Sequence, residues 1–312
     1  MPGSTSNLGA GFDCVGMAVD RWLRVTARIG GAAPAPRITR EGTLAAVREP
    51  AERDAIWRGF VAACNAGGAL APRAIVFAAR STIPVGRGLG SSAAALVAGA
   101  ALAAAMLGLR LGAQGIAALS ARLEGHPDNA VPSTVGGTML AVMRDARPPV
   151  IAPIAPHPSL AFVFAIPDFA VETSAARAAL PMLVRHATAV EAARRAAALV
   201  HGLVTGDEAL LAAGLDDVLH VPHRRALVRG YDAVARAAAG AGAIGATLSG
   251  AGSGMVAIAP RARADDVARA MTDAWREADV RAETFVHTRP VRGYHLEEPA
   301  ASPGNAAAGP CG

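Results

Sequence analysis

The chain contains no lysine: all 30 basic residues among its 312 are arginine. A Walker-type phosphate loop, which needs a lysine, is therefore excluded. Cysteine is scarce as well. Three residues, at 14, 64 and 311, are too few and too scattered for a disulfide framework, and no CxxC pair suggests zinc. Aromatic residues make up only 4%, too few for a surface that stacks single-stranded bases. The net charge of +5 raises the question of nucleic acid, but the longest run of arginine is two residues. With so much alanine alongside, the arginine reads as a compositional habit of the source genome, and no nucleic-acid partner is expected. The first residues lack the basic-then-apolar pattern of a signal peptide, which points to a reducing, cytoplasmic setting. One uncharged stretch, Ala93–Leu109, approaches the length of a short membrane span. Alanine and glycine dominate it and a glycine-rich polar loop leads into it. It reads as a buried, close-packed helix, and no membrane partner is expected.

What is present is a large apolar fraction. With 52% hydrophobic and 18% charged residues the chain can bury a substantial core, and its length allows two domains. The pattern predicts a strand over 74–79, a loop over 81–90 and a helix from 91. A second helix covers 113–124, stopped by Gly125 and Pro127. Strands follow over 138–143 and 160–166, and the proline-rich 147–158 between them reads as a domain junction. Beyond it come helices near 186–204 and 230–240, strands near 244–248 and 254–259, a helix over 263–278 and a strand over 280–288. With the extra helices set aside, the order β-α-β-β-α-β is that of a split, ferredoxin-like unit. The fold class is α+β, with one domain over 1–150 and another over 151–296. The low-complexity tail over 297–312 is expected to be disordered.

Three glycine-rich segments carry the chemistry. The strongest is Pro84-Val-Gly-Arg-Gly-Leu-Gly-Ser-Ser-Ala-Ala94. Gly86, Gly88 and Gly90 let the backbone take positive φ and come close to a ligand. Ser91 and Ser92 open an uninterrupted helix whose free N–H groups and dipole suit a phosphate. The ATP-binding candidates are thus Pro84, Val85, Gly86, Arg87, Gly88, Leu89, Gly90, Ser91, Ser92, Ala93 and Ala94, and a serine hydroxyl there can also help to hold Mg²⁺. The second segment runs from Pro2 to Asp13 and offers the Asn7 amide and the Asp13 carboxylate on a glycine-bearing loop. The third, Leu248-Ser-Gly-Ala-Gly-Ser-Gly254, is a turn between strands. Its residues Ser249, Gly250, Ala251 and Gly252 can form an anion nest. Taken singly, the second and third segments are ordinary turns.

In this order and spacing the three segments resemble the GHMP kinase superfamily and, within it, the homoserine kinases. The resemblance runs from Pro2 to about Pro260. It implies an N-terminal domain like domain 2 of ribosomal protein S5, a C-terminal ferredoxin-like domain, and phosphoryl transfer from ATP with Mg²⁺. Within Leu123-Glu-Gly-His-Pro-Asp-Asn129, it implies Glu124 as the carboxylate partner of Ser92 on Mg²⁺, and His126 against the substrate. Glu172-Thr-Ser-Ala-Ala-Arg177 is similar to the family's Thr-x-x-x-Arg, and His220-Val-Pro-His-Arg224 to its His-x-Pro-x-Arg. Each feature has a plainer reading, as a solvated glutamate, a structural histidine or surface arginines. A homodimer is compatible with the resemblance.

The charges that these matches gather suit a zwitterion with a primary hydroxyl. Arg177 and Arg224 can clamp a carboxylate, Asp13 with Asn7 can accept from an ammonium, and the hydroxyl would lie near Thr173 and Asn129. That set favours L-homoserine over a sugar or mevalonate. The rivals are a kinase for threonine or a related amino alcohol, and a non-catalytic ATP-binding paralogue. Asp128 is a candidate for taking the hydroxyl proton, although similar enzymes are thought to work without a base. Two departures from the family are visible. Its members carry several residues before the first segment, forming an opening strand, so either the start lies upstream or this sheet edge is missing. Ser253 stands where proline is usual.

Overall fold

The computed structural model describes residues 1–30, 35–145 and 147–297; all but the first residue of the tail expected to be disordered lies outside them. The chain opens with β1 (Pro2–Asn7), a tight turn, and the long β2 (Gly11–Ile29). β3 (Arg37–Gly42), α1 (Ala55–Ala66), β4 (Ile75–Ser81), α2 (Ser91–Met106), α3 (Ala113–Glu124) and α4 (Ala130–Val135) follow, then β5 (Thr138–Arg144) and β6 (Arg147–Ile154). β2 is the spine of the first sheet, whose order is β3-β4-β2-β5-β6 with β1 also on β2. Among the described residues only the β3–β4 pair of this sheet is parallel.

Two expectations are corrected here. The glycine segment from Pro2 to Asp13 is not simply a loop, because Pro2–Asn7 forms a strand in which every residue is buried. The proline-rich stretch is not a junction throughout, because β6 pairs with β5 out to Ile154. Proline removes a ladder donor but is tolerated on an edge strand, and β6 is the edge. The expected break after residue 150 thus falls inside a strand, and the chain crosses over at 155–159.

The second sheet begins with β7 (Leu160–Pro167). Then come α5 (Thr173–Ala178), α6 (His186–Thr205), α7 (Glu208–Leu215), α8 (Val221–Arg224), α9 (Tyr231–Gly240), β8 (Gly245–Leu248), β9 (Met255–Pro260), α10 (Ala264–Glu277) and β10 (Ala282–His287). The order β10-β7-β9-β8, antiparallel throughout, is that of a ferredoxin-like sheet. Every residue of β7 is buried. Its two faces divide with the period of two: Leu160, Phe162, Phe164 and Ile166 join the core shared with the first half. Ala161, Val163 and Ala165 join α9 and α10 instead. After β10 the chain returns to the first half. The Gly137 amide donates to the Val291 carbonyl (2.8 Å), and the Tyr294 amide to that of Thr134 (3.2 Å).

Helix α2 is apolar on nearly every side, which is why nine of its 16 residues can be buried. Against α1 the two backbones touch. A Cβ on Gly59 would lie 2.1 Å from the Leu96 carbonyl oxygen, and one on Gly99 would lie 1.8 Å from that of Ile56. Gly99→Ala is therefore expected to push the helices apart and cost about 1–3 kcal/mol. Gly240→Ala, whose methyl meets nothing within 4 Å, should stabilise by roughly 0.5–1 kcal/mol. Urea unfolding midpoints of the two variants, moving in opposite directions, check both.

Candidate active site

All three glycine segments meet at the start of α2. The Ser4 amide donates to the Leu89 carbonyl (3.1 Å), and the Gly250 amide to that of Ser6 (3.1 Å). The Thr5 and Ser249 hydroxyls share a hydrogen bond (2.8 Å), and Ser249 donates to the Gly88 carbonyl (2.7 Å). Gly88 and Gly90 have φ of 71° and 64°. A Cβ on Gly88 would lie 1.8 Å from the Ser249 carbonyl oxygen, and one on Gly90 would lie 2.2 Å from Ser4 Oγ. No side chain fits at either position. The loop so held leaves the first amides of α2 without intrahelical acceptors and pointing into a cleft of about 520 Å³.

Most of the expected residues line that cleft: Pro84 through Ala93, and Asn7, Asp13, Glu124, His126, Asn129, Thr173, Arg177 and Arg224. Ala94 does not. It is fully buried in the core, because one residue along a helix turns the side chain by about 100°. In the third segment Gly250 and Ala251 reach the cleft, while Ser249 and Gly252 support it from behind. Arg87 turns its guanidinium away, to the carbonyls of Asp168 (2.6 Å) and Phe169 (3.4 Å). Ser253 also donates to the Phe169 carbonyl. Asn7 has both amide atoms engaged, Nδ2 donating to the Gly250 carbonyl (3.0 Å) and Oδ1 accepting from the Asp13 amide (3.0 Å). Asn129 accepts from Ser4 (3.0 Å) and donates to Ser6 (3.1 Å).

The charged groups divide into two sets. Glu124 is largely buried, and burial pushes its carboxyl up, against the pull of Ser92 and of His126. Its nearest cationic partner is His126 Nε2 at 3.9 Å. Burial disfavours the His126 imidazolium, but Asp128, whose Oδ1 lies 2.5 Å from Nδ1, outweighs that and raises the pKa. Asp128 Oδ2 is buried with no hydrogen-bond partner among the described residues, and the sequence had no signal for this bare oxygen. Across the cleft Asp13 pairs with Arg177 at 3.0 and 3.3 Å. Arg224 is 2% exposed and has no carboxylate within salt-bridge distance among the described residues. Burial and the neighbouring Arg177 lower its pKa. The cleft is also lined by Leu44, Val47, Ala55 and Ile56, apolar residues that no motif marks.

The family model for the GHMP kinases N terminal domain matches residues 56–137, and that for the GHMP kinases C terminal matches 187–277. The chain is 38% identical over 290 residues to a homoserine kinase of Picosynechococcus sp., covering 92% of this chain and 94% of that one. It is also 38% identical over 289 residues to a homoserine kinase of Gloeobacter violaceus, covering 89% and 92%. The chain belongs to the homoserine kinase family. Among solved structures, the homoserine kinase of Cytophaga hutchinsonii superposes with a TM-score of 0.79 at 27% identity, over 94% of each chain. A mevalonate kinase of L. major in complex with R-mevalonate reaches 0.64 at 16% identity, over 91% of this chain and 94% of that one, and shows the shared fold alone. As a homoserine kinase the chain is a kinase that uses ATP. None of its described helices is long and apolar enough to cross a membrane.

In this homoserine kinase the buried Glu124 carboxylate is a strained group, and its pH dependence follows from its shift. Its folded-state pKa is raised above the ordinary 4.5, so ionisation costs stability as pH rises through the folded value. Glu124→Gln is expected to raise the melting midpoint of the ligand-free protein near neutral pH. The gain should vanish as the pH falls below the ordinary glutamate value. Thermal scans of both proteins across that range check it.

Proposed function

We propose that the protein transfers the γ-phosphoryl group of ATP to the side-chain hydroxyl of L-homoserine, giving O-phospho-L-homoserine and ADP. The observation that carries this reading is Arg224. A buried guanidinium without a carboxylate of its own, lining a cleft that also holds a phosphate-binding helix start, calls for an anionic substrate group. In the cytoplasm, where ATP is abundant, the cysteines at 14 and 64 stay free, as they are in the structure.

The substrate carboxylate would be taken by Arg224 and Arg177, and its ammonium by Asp13, with Asn7, whose own amide is already engaged, holding the Asp13 backbone rather than meeting the substrate. This leaves the hydroxyl near Thr173 and Asn129, facing the amides at the start of α2. Those amides and the helix dipole receive the phosphates. The hydroxyl oxygen attacks the γ-phosphorus in line, the bond to the β–γ bridging oxygen breaks, and the hydroxyl proton leaves. Positioning and charge neutralisation dominate such a transfer, so no side chain has to form a covalent bond. Ser92 and Glu124 fit Mg²⁺. Both offer hard oxygen donors, and the buried Glu124 carboxylate has only a distant cation to balance it. When bound there, Mg²⁺ would neutralise charge on the β- and γ-phosphates.

The test is ADP release with Mg²⁺ and ATP in the presence of homoserine, threonine, serine, mevalonate or galactose. Homoserine is expected to give the largest kcat/KM. A preference for threonine would transfer the reading to a neighbouring amino alcohol, and ATP binding without turnover on any alcohol would mark a non-catalytic paralogue. Arg224→Ala should raise the homoserine KM about 100-fold, roughly 3 kcal/mol, as expected for truncating one side of a buried charge pair. The KM for ATP should hold steady.

A further inference from the structure

The second arginine motif contains a histidine that the mechanism above does not use. His220 is fully buried beside α8, and its position is fixed twice. Asp217 Oδ2 accepts the amides of Leu219 (3.1 Å), His220 (2.6 Å) and Val221 (2.8 Å), which sets the backbone. The ring then stacks on Phe12 with centroids 4.9 Å apart and planes 20° from parallel. Nε2 lies 3.0 Å from the Gly9 carbonyl oxygen in the turn after β1. A carbonyl can only accept, so Nε2 carries the proton and Nδ1 is left as a bare acceptor.

That acceptor faces Arg224 Nη1 at 3.4 Å. The same guanidinium donates from Nε to the Ala176 carbonyl of α5 (3.0 Å), and its carbon lies 5.2 Å from the Phe12 ring centroid. Arg224 is thus held on three sides, by His220, by α5 and by an aromatic face, and it lines the cleft. Arg177 has less support: its side chain is 39% exposed and, among the described residues, paired only with Asp13. Burial lowers the pKa of His220; Asp217 pulls the other way and Arg224 adds to the lowering, so the ring stays a neutral acceptor.

We infer that His220 is a positioning residue for substrate selection: its Nδ1 fixes the Arg224 fork in the orientation that takes a substrate carboxylate. It links the turn after β1 to the carboxylate clamp and touches neither ATP nor the reacting hydroxyl. The inference rests on the functional reading above. It goes further in assigning the amino-acid preference to a hydrogen bond made behind the arginine rather than to the arginine alone.

Steady-state kinetics on the full-length enzyme test it. His220→Leu removes both ring nitrogens and should raise the homoserine KM about tenfold, the worth of one charge-assisted hydrogen bond. kcat and the KM for ATP should stay within about twofold, since neither depends on the clamp. The KM for 3-amino-1-propanol, which is homoserine without its carboxylate, should not change. His220→Asn, which can keep an acceptor near the Nδ1 position, should restore most of the loss, whereas His220→Gln should not. In the double variant H220L/R224A the loss should equal that of R224A alone, because the histidine acts through the arginine. Additive losses, an equal effect on 3-amino-1-propanol, or failure of Asn to rescue would each overturn the inference. If the leucine variant does not fold, the Asn and Gln variants decide by the same comparison. A parent enzyme that turns over ATP but not homoserine overturns the functional reading, and this inference with it. A parent active on homoserine whose KM is indifferent to His220 overturns this inference alone.

Discussion

Everything at this site depends on keeping the first amides of one buried helix free of protein acceptors. A helix start exposes N–H groups that the fold would ordinarily cap, and α2 has no side-chain cap. What holds the preceding loop away is a polar seam. Ser4, Thr5 and Ser6 of β1 reach the Leu89 carbonyl, the Ser249 hydroxyl, Asn129 and Gly250, so that three segments far apart in sequence fix one another. Gly88 and Gly90 complete it by letting backbone and hydroxyl groups approach to distances that no Cβ permits. The seam buries hydroxyls rather than methyls because each has a partner within the seam itself.

The absence of lysine shapes the chemistry on the other side of the cleft. Arginine is always charged, planar and forked, so it suits a fixed bidentate contact better than a flexible point charge. The two arginines proposed to clamp the substrate carboxylate are held differently. Arg224 is buried and braced, while Arg177 is half exposed and held by Asp13. In the free enzyme Asp13 and Arg177 already present one negative and one positive group side by side. A zwitterion can replace that pair charge for charge, whereas a ligand with a single charge leaves one of the two groups unmatched.

Much of this was legible in the sequence because the chemistry sits in contiguous strings. The glycine-rich loop, its two serines and the helix that follows needed no tertiary information, and neither did the β-α-β-β-α-β order of the second half. What was hidden has physical causes. β1 is a run of proline, glycine, hydroxyl residues and an asparagine with no apolar alternation, so its burial is visible only through tertiary partners, some more than a hundred residues away. β6 carries prolines that only its edge position tolerates. Ala94 belongs to the phosphate string but faces the core, a matter of helical angle rather than motif. The apolar lining by Leu44, Val47, Ala55 and Ile56 comes from a loop and a helix start that only the folded chain brings to the cleft. Arg87 looks like a phosphate ligand by position, yet the carbonyls of Asp168 and Phe169 hold it.

The return of the chain to the first half after β10 bears on the order in which the protein can be made. The segment that pairs Arg292 with Gly136 and places Tyr294 against Thr134 is synthesised only after the second sheet is complete. Domains in a growing chain ordinarily settle one after another from the N-terminus. Here the first half stays open at one corner until the ribosome has passed the whole of the second sheet, including the β7 face that fills the shared core. The two halves are separate sheets on paper, but on the ribosome they share a single moment of completion.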